Sequence, residues 1–235
     1  MQMTHKGWIM KGIILVIIVG IAVGILQYQK TRIPAFPINS ADTIASWSFK
    51  GAYAGNDTLI QNAQADIIHL TSLLGKGEFD DYDLYDGMAN DYTSLGDGEN
   101  AYANYNRAIA IHPKKGLGYV NLGYFFDQLG ASHTAADAYT KAVTVEPSML
   151  QYRLELLRFL TIRFATDIAR VNAAFADSDA RYGAIAEVLI VKAQWLTTQG
   201  KYADAIDAWE KMKEISPGRD MTSVDTEIAR LKAKL

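Results

Sequence analysis

The sequence predicts an all-α protein in which an N-terminal transmembrane helix precedes a solenoid of helical hairpins. Three observations predict it: an uncharged apolar run near the start, a set of glycine, alanine, tyrosine and proline residues that recurs 34 positions later, and amphipathic segments on both sides of the recurring region. A period of about 34 residues is typical of stacked helical hairpins, because each hairpin buries its apolar face only against its neighbours.

Composition narrows the protein class before any motif is considered. The chain has 235 residues, is 49% hydrophobic and carries a formal net charge of −3, which allows one membrane segment plus one domain of ordinary size. The near-neutral charge argues against a nucleic-acid-binding protein, which would carry a basic stripe. The sequence has no cysteine, so disulfides, thiol nucleophiles, cysteine-ligated zinc and a lipid anchor on cysteine are excluded.

The first domain, residues 1–30, is predicted to be a membrane anchor. Residues 12–29 carry no charge and are bracketed by lysines. Eighteen helical residues span roughly 27 Å, close to the hydrocarbon thickness of a bilayer. Trp8 and Tyr28 stand at the two ends, where interfacial aromatic rings are favoured. The alternative is a cleaved signal peptide, but no Ala-x-Ala-type site follows the apolar run.

The orientation of the anchor is less strongly encoded. Lys6 and Lys11 on one side of the apolar run balance Lys30 and Arg32 on the other, so the positive-inside rule scarcely discriminates. An anchor with a short leader usually leaves its own end in the cytoplasm. We therefore expect the soluble domain outside the cytoplasm.

Residues 31–56 are predicted to be an extended linker or arm. Two prolines near its start keep the chain stiff and extended. Further on, Trp47, Phe49 and Tyr53 alternate with smaller residues, which is compatible with a short strand or with an extended arm packed on the domain.

The solenoid, residues 57–235, is predicted to begin with a capping helix over 57–75. Asp57 is a favourable N-cap, and Gly75 and Gly77 end the helix. Its apolar residues fall at helical spacing and form one stripe. They are Leu59, Ala63, Ile67, Leu70 and Leu74.

Two hairpins follow, over residues 82–115 and 116–149. Each is predicted to contain a first helix, a turn, a second helix and a terminating proline. In the first hairpin, Gly96 and Asp97 supply a left-handed turn residue and an N-cap. The residues that recur are Gly96, Ala101, Tyr105, Ala108 and Pro113, matched by Gly130, Ala135, Tyr139, Ala142 and Pro147.

These residues resemble the tetratricopeptide repeat family. The family pattern is a bulky residue, Leu-Gly, an aromatic, an alanine, a second aromatic and a proline. The first hairpin departs from it, with Met88 and Ala89 in place of Leu-Gly. The resemblance implies a right-handed solenoid that binds protein or peptide partners. The second hairpin has the whole pattern in Tyr119, Leu122, Gly123, Phe126, Ala135, Tyr139 and Pro147.

The same register predicts two more hairpins. A good copy spans 186–219, and the interval 150–185 is predicted to hold a degenerate one that lacks the turn glycine and the proline. In the degenerate copy, Ala169, Ala173 and Ala176 keep the spacing of inward-facing residues on a second helix. The good copy fills the family positions with Leu189, Ala193, Leu196, Gly200, Ala205, Trp209 and Pro217.

A closing helix over 222–235 is predicted to end the array, with Thr222 or Ser223 as its N-cap. Its charged residues face outward, as the terminal helix of a solenoid requires.

The sequence contains no pattern for catalysis, cofactor binding or metal binding. The phosphate-binding patterns GxGxxG and GxxxxGK[ST] are absent. None of the four histidines has a second histidine three or four residues away. The acidic run near Asp81 fails the calcium-loop pattern, because Tyr85, Asp86 and Tyr92 occupy positions that need an oxygen ligand, glycine and glutamate. We therefore predict that the protein is not an enzyme and has no cofactor.

The resemblance also implies a ligand site in the groove lined by first helices. A carboxylate clamp is rejected, because only Asn90 matches it and Asp86 or Val120 holds the position that needs a positive charge. An acidic, aromatic groove favours a basic or mixed peptide segment instead. Carried over by repeat position, the groove residues are Asp83, Asp86, Asn90, Thr93, Leu117, Val120, Tyr124 and Asp127.

The expected function is a single-pass, membrane-anchored scaffold that binds proteins next to a membrane, without nucleic acid. One alternative is a subunit or chaperone of an envelope assembly machine, such as that of cytochrome c maturation, by family analogy alone. Another is a structural homo-oligomer in which the degenerate repeat or the Trp47/Phe49 arm pairs with a second copy. An enzyme is least favoured, because residues 33–80 offer no paired carboxylates and no nucleophile–base set.

Overall fold

A computed structural model describes residues 35–235 of the chain, and residues 37–235 form one compact unit. The all-α prediction is confirmed for this part. It contains ten helices, and its only bridge of β type joins Ser48 to Asp97. In chain order the helices are α1 (Asp57–Leu73), α2 (Asp81–Leu95), α3 (Gly98–Ile111), α4 (Gly116–Gln128), α5 (Ser132–Val145), α6 (Leu150–Arg163), α7 (Ile168–Tyr182), α8 (Ala186–Thr198), α9 (Tyr202–Glu214) and α10 (Thr222–Lys232).

The predicted anchor, residues 12–29, lies outside the described residues. Within residues 35–235, no helix is both long and apolar enough to cross a bilayer.

The helices pack as successive pairs, which we number hairpin one (α2 and α3), hairpin two (α4 and α5), hairpin three (α6 and α7) and hairpin four (α8 and α9). In hairpin one the turn forms as predicted: Gly96 adopts a left-handed φ of 82°, and Asp97 accepts a hydrogen bond from the backbone N–H of Asn100. The recurring small and aromatic residues of hairpins one and two are buried, namely Ala101, Tyr105, Ala108, Ala135, Tyr139 and Ala142.

Hairpin two shows why its first helix carries a glycine. A Cβ atom built on Gly123 would lie 2.9 Å from ring atoms of Tyr139, which is closer than packed atoms approach. The absent side chain therefore lets α4 lie directly against the ring that α5 presents.

Hairpin three corrects one prediction. Ala169, Ala173 and Ala176 are exposed, so they do not form the inward face of α7. The buried residues of that helix are Val171, Phe175 and Ser178. The alanine spacing correctly indicated a helix, but the inward face inferred from it was wrong. Larger apolar side chains of the same segment, such as Phe175, are buried instead because their burial contributes more free energy.

The segment before α1, residues 37–56, packs on the solenoid as an arm, and we call it the arm. The Trp47 ring stacks on Tyr102 with centroids 5.1 Å apart, and Phe49 meets Phe125 edge-on at 6.3 Å. The backbone N–H of Gly98 donates to the Trp47 carbonyl at 2.8 Å. These aromatic contacts lie within one chain, so the homo-oligomer imagined through Trp47 and Phe49 would first require the arm to detach.

The arm also caps a helix of hairpin two. Helix α5 has Ala131 at its N-cap and no capping side chain of its own. Asp42 supplies the acceptor instead, taking hydrogen bonds from the backbone N–H groups of His133 (3.2 Å) and Thr134 (2.6 Å) and from the Thr134 hydroxyl. The first turn of α5 is thus satisfied by a residue 92 positions away in sequence.

Two predicted caps at the ends of the array are wrong. Asn56, not Asp57, caps α1 by accepting from the backbone N–H of Leu59. At the other end, Asp220 accepts from both the N–H and the hydroxyl of Thr222, so Thr222 begins α10 as a donor. In both cases an acidic or amide side chain close to the predicted cap has the better acceptor geometry.

Candidate functional site

The candidate groove lies on the exposed side of α2 and α4, which we call the first-helix face. A hydrogen bond joins the two helices: the Asn121 amide donates to Asp86 Oδ2 at 2.8 Å. The Asn90 amide donates to the same carboxylate at 3.3 Å, and the Tyr105 hydroxyl donates to Asn90 Oδ1 at 2.8 Å. The floor of the face is therefore a connected set of amides, a hydroxyl and one carboxylate.

Two of the eight predicted groove residues are not surface residues. Asp86 is 8% exposed, and Thr93 is buried with its hydroxyl bonded to the Ala89 carbonyl at 2.8 Å. Burial raises the pKa of Asp86, while the hydrogen bonds from Asn121 and Asn90 act in the opposite direction. Both residues support the floor, and neither presents a free group to a ligand.

The two outer carboxylates of the predicted groove are already paired. Asp83 forms a salt bridge with the Lys115 ammonium, with 2.7 Å between Nζ and Oδ1. Asp127 accepts two hydrogen bonds from the Arg163 guanidinium, at 2.7 and 3.1 Å. The face is thus less acidic than its sequence indicated, because the next hairpin or loop supplies a cation for each of these carboxylates.

The remaining predicted residues define an open, partly apolar strip. Tyr124 is 50% exposed and Leu117 is 40% exposed, whereas Val120 is half-buried. Asn90 is exposed beside them. An apolar side chain of a ligand could cover Leu117 and Tyr124, and the Asn90 amide could bond a peptide group.

Residues that the sequence analysis missed extend and shape this face. Asn121, Lys115 and Arg163 make the interhelical bonds, and Ile162 on α6 exposes 70% of its surface. The polar partners stand 32 to 36 positions apart in sequence. A search for complementary residues about one repeat apart would have found them.

A second polar cluster lies at the loop between hairpins one and two, around a cleft of about 480 Å³. His112 Nε2 lies 2.6 Å from Asp80, and the Lys115 ammonium lies 3.8 Å from the Tyr82 ring centre. The backbone N–H of Tyr82 and the His112 ring hydrogen-bond to Asp80 and lower its pKa. These contacts hold Lys115 at the edge of the first-helix face and fix its pairing with Asp83.

Among residues 35–235, no group of three or more histidine, cysteine, aspartate or glutamate residues is arranged to hold a metal ion.

Comparison with known protein families gives a match within hairpin two. Residues 118–149 match the tetratricopeptide repeat. They cover most of α4, all of α5 and the loop that follows. No curated protein matches the chain significantly.

Tetratricopeptide repeats are protein-interaction modules, so the match supports a protein-interaction scaffold. The matched hairpin carries Tyr124 and Asp127 and packs beside the helix that carries Asp83 and Asn90. The candidate groove therefore lies on the tetratricopeptide hairpin and its predecessor.

Proposed function

We propose that the protein is a single-pass membrane scaffold in which residues 12–29 span the bilayer and a right-handed tetratricopeptide solenoid, outside the cytoplasm, binds a partner protein next to the membrane. The uncharged run of residues 12–29 supports the anchor. The observation that carries the binding role is the exposure of Tyr124 and Leu117 on the first-helix face of the matched hairpin.

The pairing of the carboxylates refines the ligand class. A segment that covers Leu117 and Tyr124 with apolar side chains, and bonds Asn90 through its backbone, fits the strip better than a strongly basic segment. A basic residue in the ligand would compete with Lys115 for Asp83, which is exposed. We therefore assign to basic residues a smaller share of the affinity than to aromatic and aliphatic ones.

Photo-cross-linking tests the binding face in cells. A benzoylphenylalanine placed at position 117 should capture a discrete partner, and Tyr124→Ser should reduce that adduct severalfold. The same label at Thr140, which is exposed on α5, is the control and should give no such adduct. Equal adducts from positions 117 and 140 would show that the first-helix face is not the binding site.

The anchor is tested separately by fractionation. The full chain should stay with membranes after alkaline carbonate extraction, and deletion of residues 12–29 should release it. Protease added outside intact cells should cleave the solenoid loops. Protection of the loops until the cells are opened would place the domain in the cytoplasm.

A further inference from the structure

The helices at the two ends of the array differ in the side chains that they expose to solvent. At the closing end, α10 exposes Ser223, Asp225, Arg230 and Lys232. At the other end, α1 exposes Ile68 to 72%. Terminal helices of a solenoid need a polar outer face because no neighbour covers them. Most exposed residues of α1 are polar, but Ile68 interrupts this polar face.

The exposed face of α1 borders a groove of about 580 Å³. The volume falls within the range of roughly 300–1,000 Å³ that is usual for ligand clefts. The groove lies between α1, the end of α2 and the end of the arm, and its walls are mainly apolar. The apolar lining comes from Ile60, Ile67 and Ile68 of α1, Tyr92 and Leu95 of α2, and Ala54.

The charged residues nearest this groove are acidic. Helix α1 contains Asp57 and Asp66 and no lysine or arginine. Asp97 lines the groove itself, and Asp57 stands three residues before Ile60 at the start of the same helix face.

A second cleft at the junction of α1 and α2 adds to this charge. It is lined by Asp66 and Asp91. Burial and the neighbouring Asp66 raise the pKa of Asp91 to about 6.

We propose that this groove is a docking site for an amphipathic helix of a partner protein whose polar face is basic. Apolar side chains at helical spacing would cover Ile60 and Ile68, as successive helices cover one another within the array. Lysine or arginine residues that flank the apolar stripe would approach Asp57 and Asp97. The lining shares no residue with the first-helix face, so the two sites are separable.

The test uses the full-length protein in phosphatidylcholine nanodiscs and a fluorescein-labelled synthetic helix of about 18 residues, which spans roughly 27 Å. The peptide carries leucines along one helical stripe and lysines elsewhere. Empty nanodiscs give the background. Fluorescence anisotropy should show saturable binding to the wild-type protein, and binding should weaken as salt screens the charges.

Three variants locate the site. Ile68→Glu should weaken binding by at least about tenfold, since it places a charge in the apolar groove. Leu235→Glu is the matched control, because Leu235 is 76% exposed beyond α10 and lies outside both sites, and it should leave the affinity unchanged. Asp57→Lys should weaken binding by about threefold and flatten its salt dependence. Unchanged melting temperatures establish that the variants fold.

Several results would overturn the proposal. Equal affinity of Ile68→Glu and wild type would exclude the groove. Equal binding of a peptide with glutamates in place of the lysines would exclude a basic partner. A wild-type dimer that Ile68→Glu converts to a monomer would assign the groove to a second copy. An intramolecular cross-link from position 68 to residues 1–34 would assign it to the same chain.

Discussion

Hairpins two and three follow each other in the same register, yet they hold together by different means. In hairpin two the helices meet through small residues: Ala135, Ala138 and Ala142 are buried on α5, and Gly123 faces the Tyr139 ring. In hairpin three, Ala169 and Ala176 of α7, which correspond to Ala135 and Ala142, are exposed. A repeat period thus preserved the helices without preserving the face on which they pack.

Hairpin three compensates with larger side chains and polar contacts. Phe175 of α7 lies 5.8 Å from the Trp195 ring of the next hairpin. Arg153 is buried on α6 and pairs with Asp177 of α7. The Tyr182 hydroxyl donates to the Pro147 carbonyl at 2.6 Å. Hairpin two is therefore held by close approach of its helix backbones. Hairpin three depends more on the Arg153–Asp177 ion pair, the Tyr182 hydrogen bond and the Phe175–Trp195 ring contact.

The largest expected effect comes from enlarging equivalent alanines. Ala142→Leu should lower the free energy of unfolding by about 2–3 kcal/mol, because the buried site has no room for the added carbons. Ala176→Leu, 34 positions later on exposed surface, should stay within about 0.5 kcal/mol of wild type. Urea denaturation of both variants measures the difference. Equal losses would mean that α7 packs through its alanines after all.

The second-largest loss of stability is expected from breaking the Arg153–Asp177 ion pair of hairpin three. Asp177→Ala leaves the buried Arg153 guanidinium without its partner and should cost about 1–2 kcal/mol, less than for a fully buried pair because Asp177 is 63% exposed. Arg153→Met removes the buried charge while keeping the length of the side chain, and it should cost less. Hydrogen exchange should report the loss in α7 rather than in α5. If Arg153→Met proved the more damaging change, packing of the long side chain would outweigh the charge.

The arm cap on hairpin two should contribute a smaller amount. Asp42→Ala removes the acceptor for the first turn of α5 and should cost about 1 kcal/mol at pH 7. Burial opposes ionisation of Asp42, but the hydrogen bonds from Thr134 and His133 prevail and lower its pKa. A lowered pKa in the folded state stabilises the protein above the ordinary pKa of aspartate, and this contribution is lost as pH falls through the folded value.

Stability measured against pH tests this cap. The difference between wild type and Asp42→Ala should be constant near neutrality and shrink as acid protonates the carboxyl. Asp137→Ala is a control on the same helix, since the exposed Asp137 carboxylate accepts from the Asn39 side-chain amide of the arm and not from the first turn of α5. A difference that persisted unchanged at acid pH would mean that Asp42 acts by packing and not as an ionised cap.

The smallest expected effect is that of single tyrosine hydroxyls. Tyr182→Phe should cost about 0.5–1 kcal/mol by leaving the Pro147 carbonyl without its donor. Tyr119→Phe makes the same change in hairpin two, where the hydroxyl donates to the Pro113 carbonyl at 3.1 Å. We expect Tyr182→Phe to speed hydrogen exchange in α7 more than Tyr119→Phe does in α4. Faster exchange in α4 than in α7 would contradict the view that individual hydrogen bonds and ion pairs hold hairpin three together.

The sequence was most informative where packing leaves few choices. Glycine at the turn of hairpin one and the small residues of hairpin two follow from backbone conformation and close approach, and these were predicted at the residue level. The face of α7 was missed because alanine tolerates either side of a helix. Asp86 was placed in the groove by repeat position, which says nothing of the Asn121 amide that draws it inward.

The arm shows a different limit. Its aromatic alternation indicated a packed segment, but nothing local relates Asp42 to Thr134, since 92 residues separate them. The charge of the first-helix face was misjudged for the same reason. Its cations, Lys115 and Arg163, reside on neighbouring repeats, so a count of acidic residues within one hairpin overestimated the net charge.

The position of the arm has a consequence for synthesis on the ribosome. Trp47 and Phe49 leave the exit tunnel well before Phe125, which both rings approach in the finished fold. Translation of the intervening residues takes several seconds. During that interval the nascent chain displays two unsheltered aromatic rings, so we expect chaperone occupancy of the arm to end when hairpin two emerges.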